Sequence, residues 1–220
     1  MLYQIKEYES IRKSFLYRES NAAWNKSGVN SPKNIGLLMP RIAALSPKCY
    51  QEWESFFLAQ IATFNDLTKY TKAFTAFLDE RYRDEDILMY TCCRLIYETY
   101  LGYIAECKVA DKFVRLMRKN GYNIQQVSIS GEDDNKYAVD RLEYINGRLS
   151  FAIQIKSVNY LRSDRNIVSN TKIHNHQKND KFVKEMGVPV LYIFYDRRKN
   201  YYIVNFLELL DKVKEIVPSA

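Results

Sequence analysis

Three residues near the middle of the 220-residue chain have side chains that could share one small ionic ligand. In KYAVDRLEYINGRLSFAIQIKS, residues 136–157, Asp140 is followed after thirteen residues by Gln154-x-Lys156. A carboxylate and an amide oxygen are hard donors of the kind Mg²⁺ takes, and an ammonium beside them can hold a phosphate or lower the pKa of a bound water. Together they suit hydrolysis of a phosphodiester, which needs an attacking hydroxide and relief of the charge building on the phosphoryl oxygens. The plainer reading is a solvent-facing pair, the lysine stem covering apolar surface. The elements that carry the three residues decide between the two.

Alternation puts Leu149, Phe151, Ile153 and Ile155 on one face of a strand and Ser150, Ala152, Gln154 and Lys156 on the other. Whether Asp140 joins the second face depends on the turn before that strand. A two-residue loop at Asn146-Gly147 would pair Asp140 with Ile153 and turn it away. We expect a three-residue loop, Ile145-Asn146-Gly147, with Gly147 left-handed, Tyr144 facing Arg148 and Asp140 facing Ala152, or an equivalent bulge. Upstream, YIAECKVADKFVRLMRKNGY reads as a helix with Glu106, Val109, Phe113 and Leu116 or Met117 on one stripe, a possible break at Gly102 and a stop at Asn120-Gly121. Glu106 either reaches water at the margin of that stripe or points into a site at the end of the sheet.

The remaining pattern is mixed. Helical pieces (3–20, 49–64) surround a polar, basic loop, NKSGVNSPKNIGLLMP, which is a surface connection or a partner-contacting segment. Strand-like runs follow at 124–130, 136–145, 148–158, 188–196 and 201–206, with a helix ending at Gly187 and another over 207–217. The expected fold is α/β, a central mixed β-sheet flanked by helices, with a mainly helical part at 1–84 and a core at 85–220. Net charge is +7, and residues 156–200 carry ten basic groups against four acidic ones. Such a stretch, interleaved with Tyr, Asn, Ser and Gln, is either a solvated helix face or a phosphate-contacting surface. Four cysteines without C-x-x-C spacing, and no export signal or membrane-spanning run, predict reduced thiols in a cytoplasmic protein with no zinc and no membrane partner. His174-x-His176 is a poor metal pair, since positions two apart on a helix diverge. The Tyr-rich strands LYIFY and NYYIVNF read as core and sheet surface rather than base-stacking platforms.

An acid late in one strand, an x-Lys pair after a hairpin, a helical Glu upstream and a basic region downstream resemble the PD-(D/E)xK nuclease core of type II restriction endonucleases, over roughly residues 95–206. Val139 stands where the name-giving proline would be. Gln154 replaces the usual acid, as in some restriction enzymes of this superfamily, and the pattern is most similar to the MjaI group, whose members cut short palindromes. The resemblance implies a restriction-endonuclease-like core whose catalytic residues are Asp140, Gln154, Lys156 and Glu106. Mg²⁺ would be held by Asp140, Gln154, the Ile155 carbonyl and Glu106, the last directly or through a water. It also implies double-stranded DNA as substrate, 5′-phosphate and 3′-hydroxyl ends, a homodimer, and a cognate DNA methyltransferase acting on the same site in the host. Candidate DNA contacts are Lys172, His174, Gln177 and Lys178 of the later helix, with Asn30 and Lys33 of the polar loop. Two alternatives stay open: a structure-specific nuclease for junctions or repair, and a non-catalytic nucleic-acid-binding protein whose site has decayed.

Overall fold

In YQEWESFFLAQ the bulky residues Tyr50, Trp53 and Phe57 recur at helical spacing, and burying that stripe is what makes the segment a helix. The computed structural model describes residues 3–14, 17, 20–31, 34–78, 87–129, 136–162 and 170–217. It divides into two compact units, residues 1–103 and 104–220. The expected junction at 84–85 lies outside the described residues.

The first unit is helical: α1 (Ile5–Lys13), α2 (Asn21–Ser27), α3 (Met39–Leu45), α4 (Tyr50–Gln60), α5 (Phe64–Thr75) and α6 (Ile87–Cys92), then a π-helical turn, Cys93–Tyr97. Its core is aromatic. Tyr8 stacks on Tyr97 with ring centroids 5.2 Å apart, and Tyr50 meets both rings edge-on. The indole N–H of buried Trp53 donates to the Ile96 carbonyl at 3.0 Å, giving this π turn a partner from another helix. The next helix, α7 (Glu98–Lys119), passes through Gly102 without a break. The expected interruption fails because one glycine costs a helix only about 1 kcal/mol, which flanking Tyr, Leu and Ile packing outweighs. The helix ends as expected, with Gly121 left-handed at φ 88.

The second unit is built on a five-stranded sheet, β1 (Ile124–Ser128), β2 (Arg141–Ile145), β3 (Arg148–Ser157), β4 (Val190–Asp196) and β5 (Tyr202–Ile203), in that spatial order. β1, β2 and β3 are antiparallel, β4 runs parallel to β3, and β5 is antiparallel to β4. Between β3 and β4 lie α8 (Asn159–Arg162) and α9 (Asn170–Met186), and α10 (Phe206–Ile216) follows β5. This is the expected mixed α/β arrangement. Phe151, Ile153 and Ile155 of β3 share a core with Val109 and Phe113 of α7 and with Leu209 and Val213 of α10. On the opposite face, Ala152 packs with Tyr137, Val139 and Phe182 of α9. No helix among the described residues is long and apolar enough to cross a membrane.

The hairpin takes the second of the two expected forms, an equivalent bulge rather than a three-residue loop. Ile145 pairs with Arg148, so the loop is two residues, and Asn146 and Gly147 both take positive φ (51 and 79) as a type I′ hairpin requires. The correct parity comes instead from a bulge at Ser150: Tyr144 faces Leu149, but Glu143 faces Phe151 and Leu142 faces Ala152. One extra residue in β3 therefore does what the third loop residue was expected to do.

Candidate active site

β2 begins at Arg141, directly after Asp140, and the site begins at that strand end. The chain arrives through Ala138, held in the left-handed region at φ 52, a conformation that costs a residue with a Cβ about 1–2 kcal/mol. Asn179, buried on α9, steadies this bend by donating its side-chain N–H to the Ala138 carbonyl at 3.5 Å, and it accepts from the Tyr192 hydroxyl at 3.2 Å. Asp140 then donates its backbone N–H to the Ile153 carbonyl (2.9 Å), and its carboxylate Oδ2 accepts from the backbone N–H of Ile155 (2.5 Å). The carboxylate so occupies the rung where a further β2 residue would have stood. Ile155's carbonyl lies along the same edge of β3, since both backbone groups of a strand residue point to one side.

Parity places Gln154 and Lys156 on the face of β3 that Asp140 shares. Gln154 is 2% exposed, and its amide oxygen has no hydrogen-bond partner among the described residues. A buried acceptor left unmatched costs about 1–3 kcal/mol, an expense that a ligand repays. Burial raises the Asp140 carboxyl above the usual carboxylate range, while Lys156, the Ile155 N–H and Arg141 pull it down. The three expected residues are thus brought together at one point.

Glu106 arrives differently. Its Oε1 accepts from Arg141 at 2.5 Å, and the same guanidinium nitrogen donates to the Asp140 carbonyl at 2.7 Å. A chain of contacts so runs from the helix to Asp140 through Arg141, on the sheet face opposite Gln154. Among the described residues no three His, Cys, Asp or Glu gather as a metal cluster. The oxygen donors at hand are the Asp140 carboxylate, the unmatched Gln154 amide and the Ile155 carbonyl, a hard, low-charge set that fits Mg²⁺ and disfavours zinc.

The candidate DNA contacts fall in both units. His174 and Gln177 are exposed and Lys178 half-buried, on the stripe of α9 opposite the one formed by His176, Asn179 and Phe182. Asn30 is exposed in a turn of the first unit. Lys33 and the side chain of Lys172 lie outside the described residues. Sequence reasoning missed Arg141 and Asn179. The spacing of 176, 179 and 182 held a signal for Asn179; a guanidinium joining two acids held none. Two of the cysteines are inert: burial pushes the Cys92 and Cys93 thiols up to about 12.

No curated protein and no solved structure matches this chain. A family model, the MjaI restriction endonuclease, does match, over residues 20–209, a span that includes every element of the site and both candidate DNA-contacting regions. Its hairpin acid, amide and lysine, set on a mixed sheet between helices, are carried by a restriction endonuclease: the chain belongs to the MjaI restriction endonuclease family.

Proposed function

We propose that the protein is a Mg²⁺-dependent type II restriction endonuclease that hydrolyses double-stranded DNA at a short palindromic site, leaving 5′-phosphate and 3′-hydroxyl ends, and that it works as a homodimer matching the two-fold symmetry of that site. The observation that carries the reading is the buried, unmatched Gln154 oxygen beside the capping carboxylate of Asp140. Asp140, Gln154 and the Ile155 carbonyl would hold the cation, which when bound relieves phosphoryl charge and makes hydroxide available near neutral pH.

The chain's own residues account for the rest. Lys156 holds the scissile phosphate or steadies the attacking water, and its ammonium favours the anionic form of whatever it faces. Asp140 is fixed by two backbone contacts, so its carboxylate meets the substrate with little reorganisation. Glu106 is the second acid of the site, linked to Asp140 through Arg141. His174, Gln177, Lys178 and Lys172 on α9, with Asn30 and Lys33 in the first unit, would contact the phosphate backbone.

The test is direct. Plasmid or λ DNA incubated with the protein and Mg²⁺ should give discrete fragments, and Asp140→Ala and Lys156→Ala should not cut. Absence of cutting by the unmodified protein, or equal cutting by the variants, would overturn the mechanism.

A further inference from the structure

On the same sheet face as Gln154 and Lys156 runs a second row of side chains. β4 lies beside β3 in parallel register, so Tyr192 stands next to Gln154 and Phe194 next to Lys156. Tyr160 of α8 lies against both rings at 25°, with centroids 6.4 and 6.5 Å away, and His176 of α9 comes within 5.8 Å of Tyr192. These side chains wall an open cavity of about 420 Å³ whose rim carries Glu208 and Lys212 of α10, hydrogen-bonded to one another at 2.6 Å. The sequence read Tyr192 and Phe194 as core or sheet surface rather than base-stacking platforms, yet both are half-buried and border empty space.

We propose that this cavity receives one base of the substrate DNA, unstacked from the duplex next to the phosphate held at Asp140, Gln154 and Lys156. The inference rests on the nuclease reading above and adds a binding site to it. Three observations favour a base. Two of its lining residues, Tyr192 and Phe194, stand one strand spacing, about 4.8 Å, from Gln154 and Lys156, within a nucleotide's reach from its phosphate to its base. Its walls are near-parallel aromatic rings, the surface on which every base stacks regardless of sequence. Its rim offers an acceptor, Glu208, and donors, Lys212 and His176, which can meet the hydrogen-bonding edge that an unstacked base exposes. The Tyr192 hydroxyl is already tied to Asn179 and through it to the Ala138 bend, so occupancy of the cavity and placement of Asp140 are mechanically joined.

The experiment begins with mapping of the cut on plasmid DNA. Duplex oligonucleotides bearing that site, with 2-aminopurine at each purine position around the cut in turn, are then bound with Ca²⁺ in place of Mg²⁺ so that turnover is blocked. One position should change fluorescence on binding, and an abasic site at its nucleotide should bind at least as tightly as the intact duplex. Tyr160→Leu should weaken binding of the intact duplex roughly ten- to hundredfold and bind the abasic duplex with a smaller deficit, whereas Tyr160→Phe should bind at least tenfold more tightly than Tyr160→Leu. Glu208→Gln supplies a surface variant that leaves the rings in place and should reduce discrimination among bases at that position. Normal cutting with no fluorescence change at any position, or Tyr160→Leu binding like the parent, would overturn the inference and leave the nuclease reading standing. A loss of dimer in Tyr160→Leu without loss of DNA affinity per dimer would assign the face to a second copy instead and equally overturn it. No cutting by the parent would remove both.

Discussion

Asp140 and Glu143 stand three residues apart on opposite faces of one hairpin, and they are buried in different company. Asp140 caps a backbone N–H, faces the Lys156 ammonium, and lies beside an unmatched amide oxygen. Glu143 is fully buried; its Oε1 accepts from Gln126 at 2.5 Å, and its Oε2 has no partner among the described residues. Burial raises both carboxyls, Glu143 to about 8. The difference lies in what offsets that burial. Asp140 has the Lys156 ammonium, the Ile155 N–H and Arg141, which pull its raised carboxyl back down; Glu143 has the Gln126 amide and Arg141, and near neutrality it keeps its proton. Burial raises both acids, and what sets Asp140 apart is its company: an ammonium across the strands and an unmatched amide oxygen on the same face.

The sharpest way to break this comparison is to neutralise Asp140. Asp140→Asn retains an acceptor for the Ile155 N–H and should fold, yet cleavage should fall by about a thousandfold or more, the scale of losing a charged ligand at a phosphoryl centre. A plasmid-cutting assay within tenfold of the parent would show that the charge is dispensable.

Glu143→Gln tests the other side. With the folded-state carboxyl raised to about 8 from 4.5, the native state holds a proton that the unfolded chain releases. The contribution of this carboxyl to stability is therefore greatest below about pH 4.5 and declines as pH climbs towards 8. The variant should lack that decline and exceed the parent at pH 9 by on the order of 5 kcal/mol. Urea denaturation at pH 5, 7 and 9 would show it, and parallel curves for the two proteins would refute the protonated assignment.

Arg141 joins the two faces, since it touches Glu106 and the Asp140 carbonyl and lies near Glu143. Arg141→Ala should lower cleavage ten- to hundredfold and raise the Mg²⁺ concentration for half-activity. Adding Glu106→Gln should do little more, because the two act in series; additive losses would give Glu106 an independent role. The smallest effect is expected on the outer stripe of α9, where Lys178→Ala should weaken DNA binding about evenly across sequences and reduce the salt slope by about 1. An unchanged slope would remove Lys178 from the phosphate-contacting surface.

Much of this was legible in the chain. The alternation of 148–156 announced a strand with one apolar face, because β3 is covered by α7 and α10 along its length. The need for Asp140 to share a side with Gln154 was legible too, as a parity condition. How parity is met was legible only as two alternatives, a longer loop or a bulge; the structure takes the bulge, at Ser150, beside a two-residue Asn-Gly turn. Glu143 was hidden in RLEYI because alternation distinguishes two faces without telling that both are buried. The continuity of α7 through Gly102, and the π turn before it, depend on packing partners distant in sequence.

The bulge at Ser150 turns the interval between acid and amide into a ruler that counts in twos. With a two-residue loop and a regular ladder, an acid and an amide share a side only when separated by an odd number of positions; here the separation is even, and the extra residue in β3 absorbs the mismatch. Relatives that lack the bulge should carry their acid and amide at odd separation, and those at even separation should carry an irregularity somewhere between. Lengthening the Asn146-Gly147 loop leaves the strand pairing as it is, whereas deleting the single residue Ser150 asks the hairpin either to send Asp140 to the wrong side or to turn its apolar face outward. The least conspicuous serine in the segment is thus the one whose loss the hairpin can least accommodate.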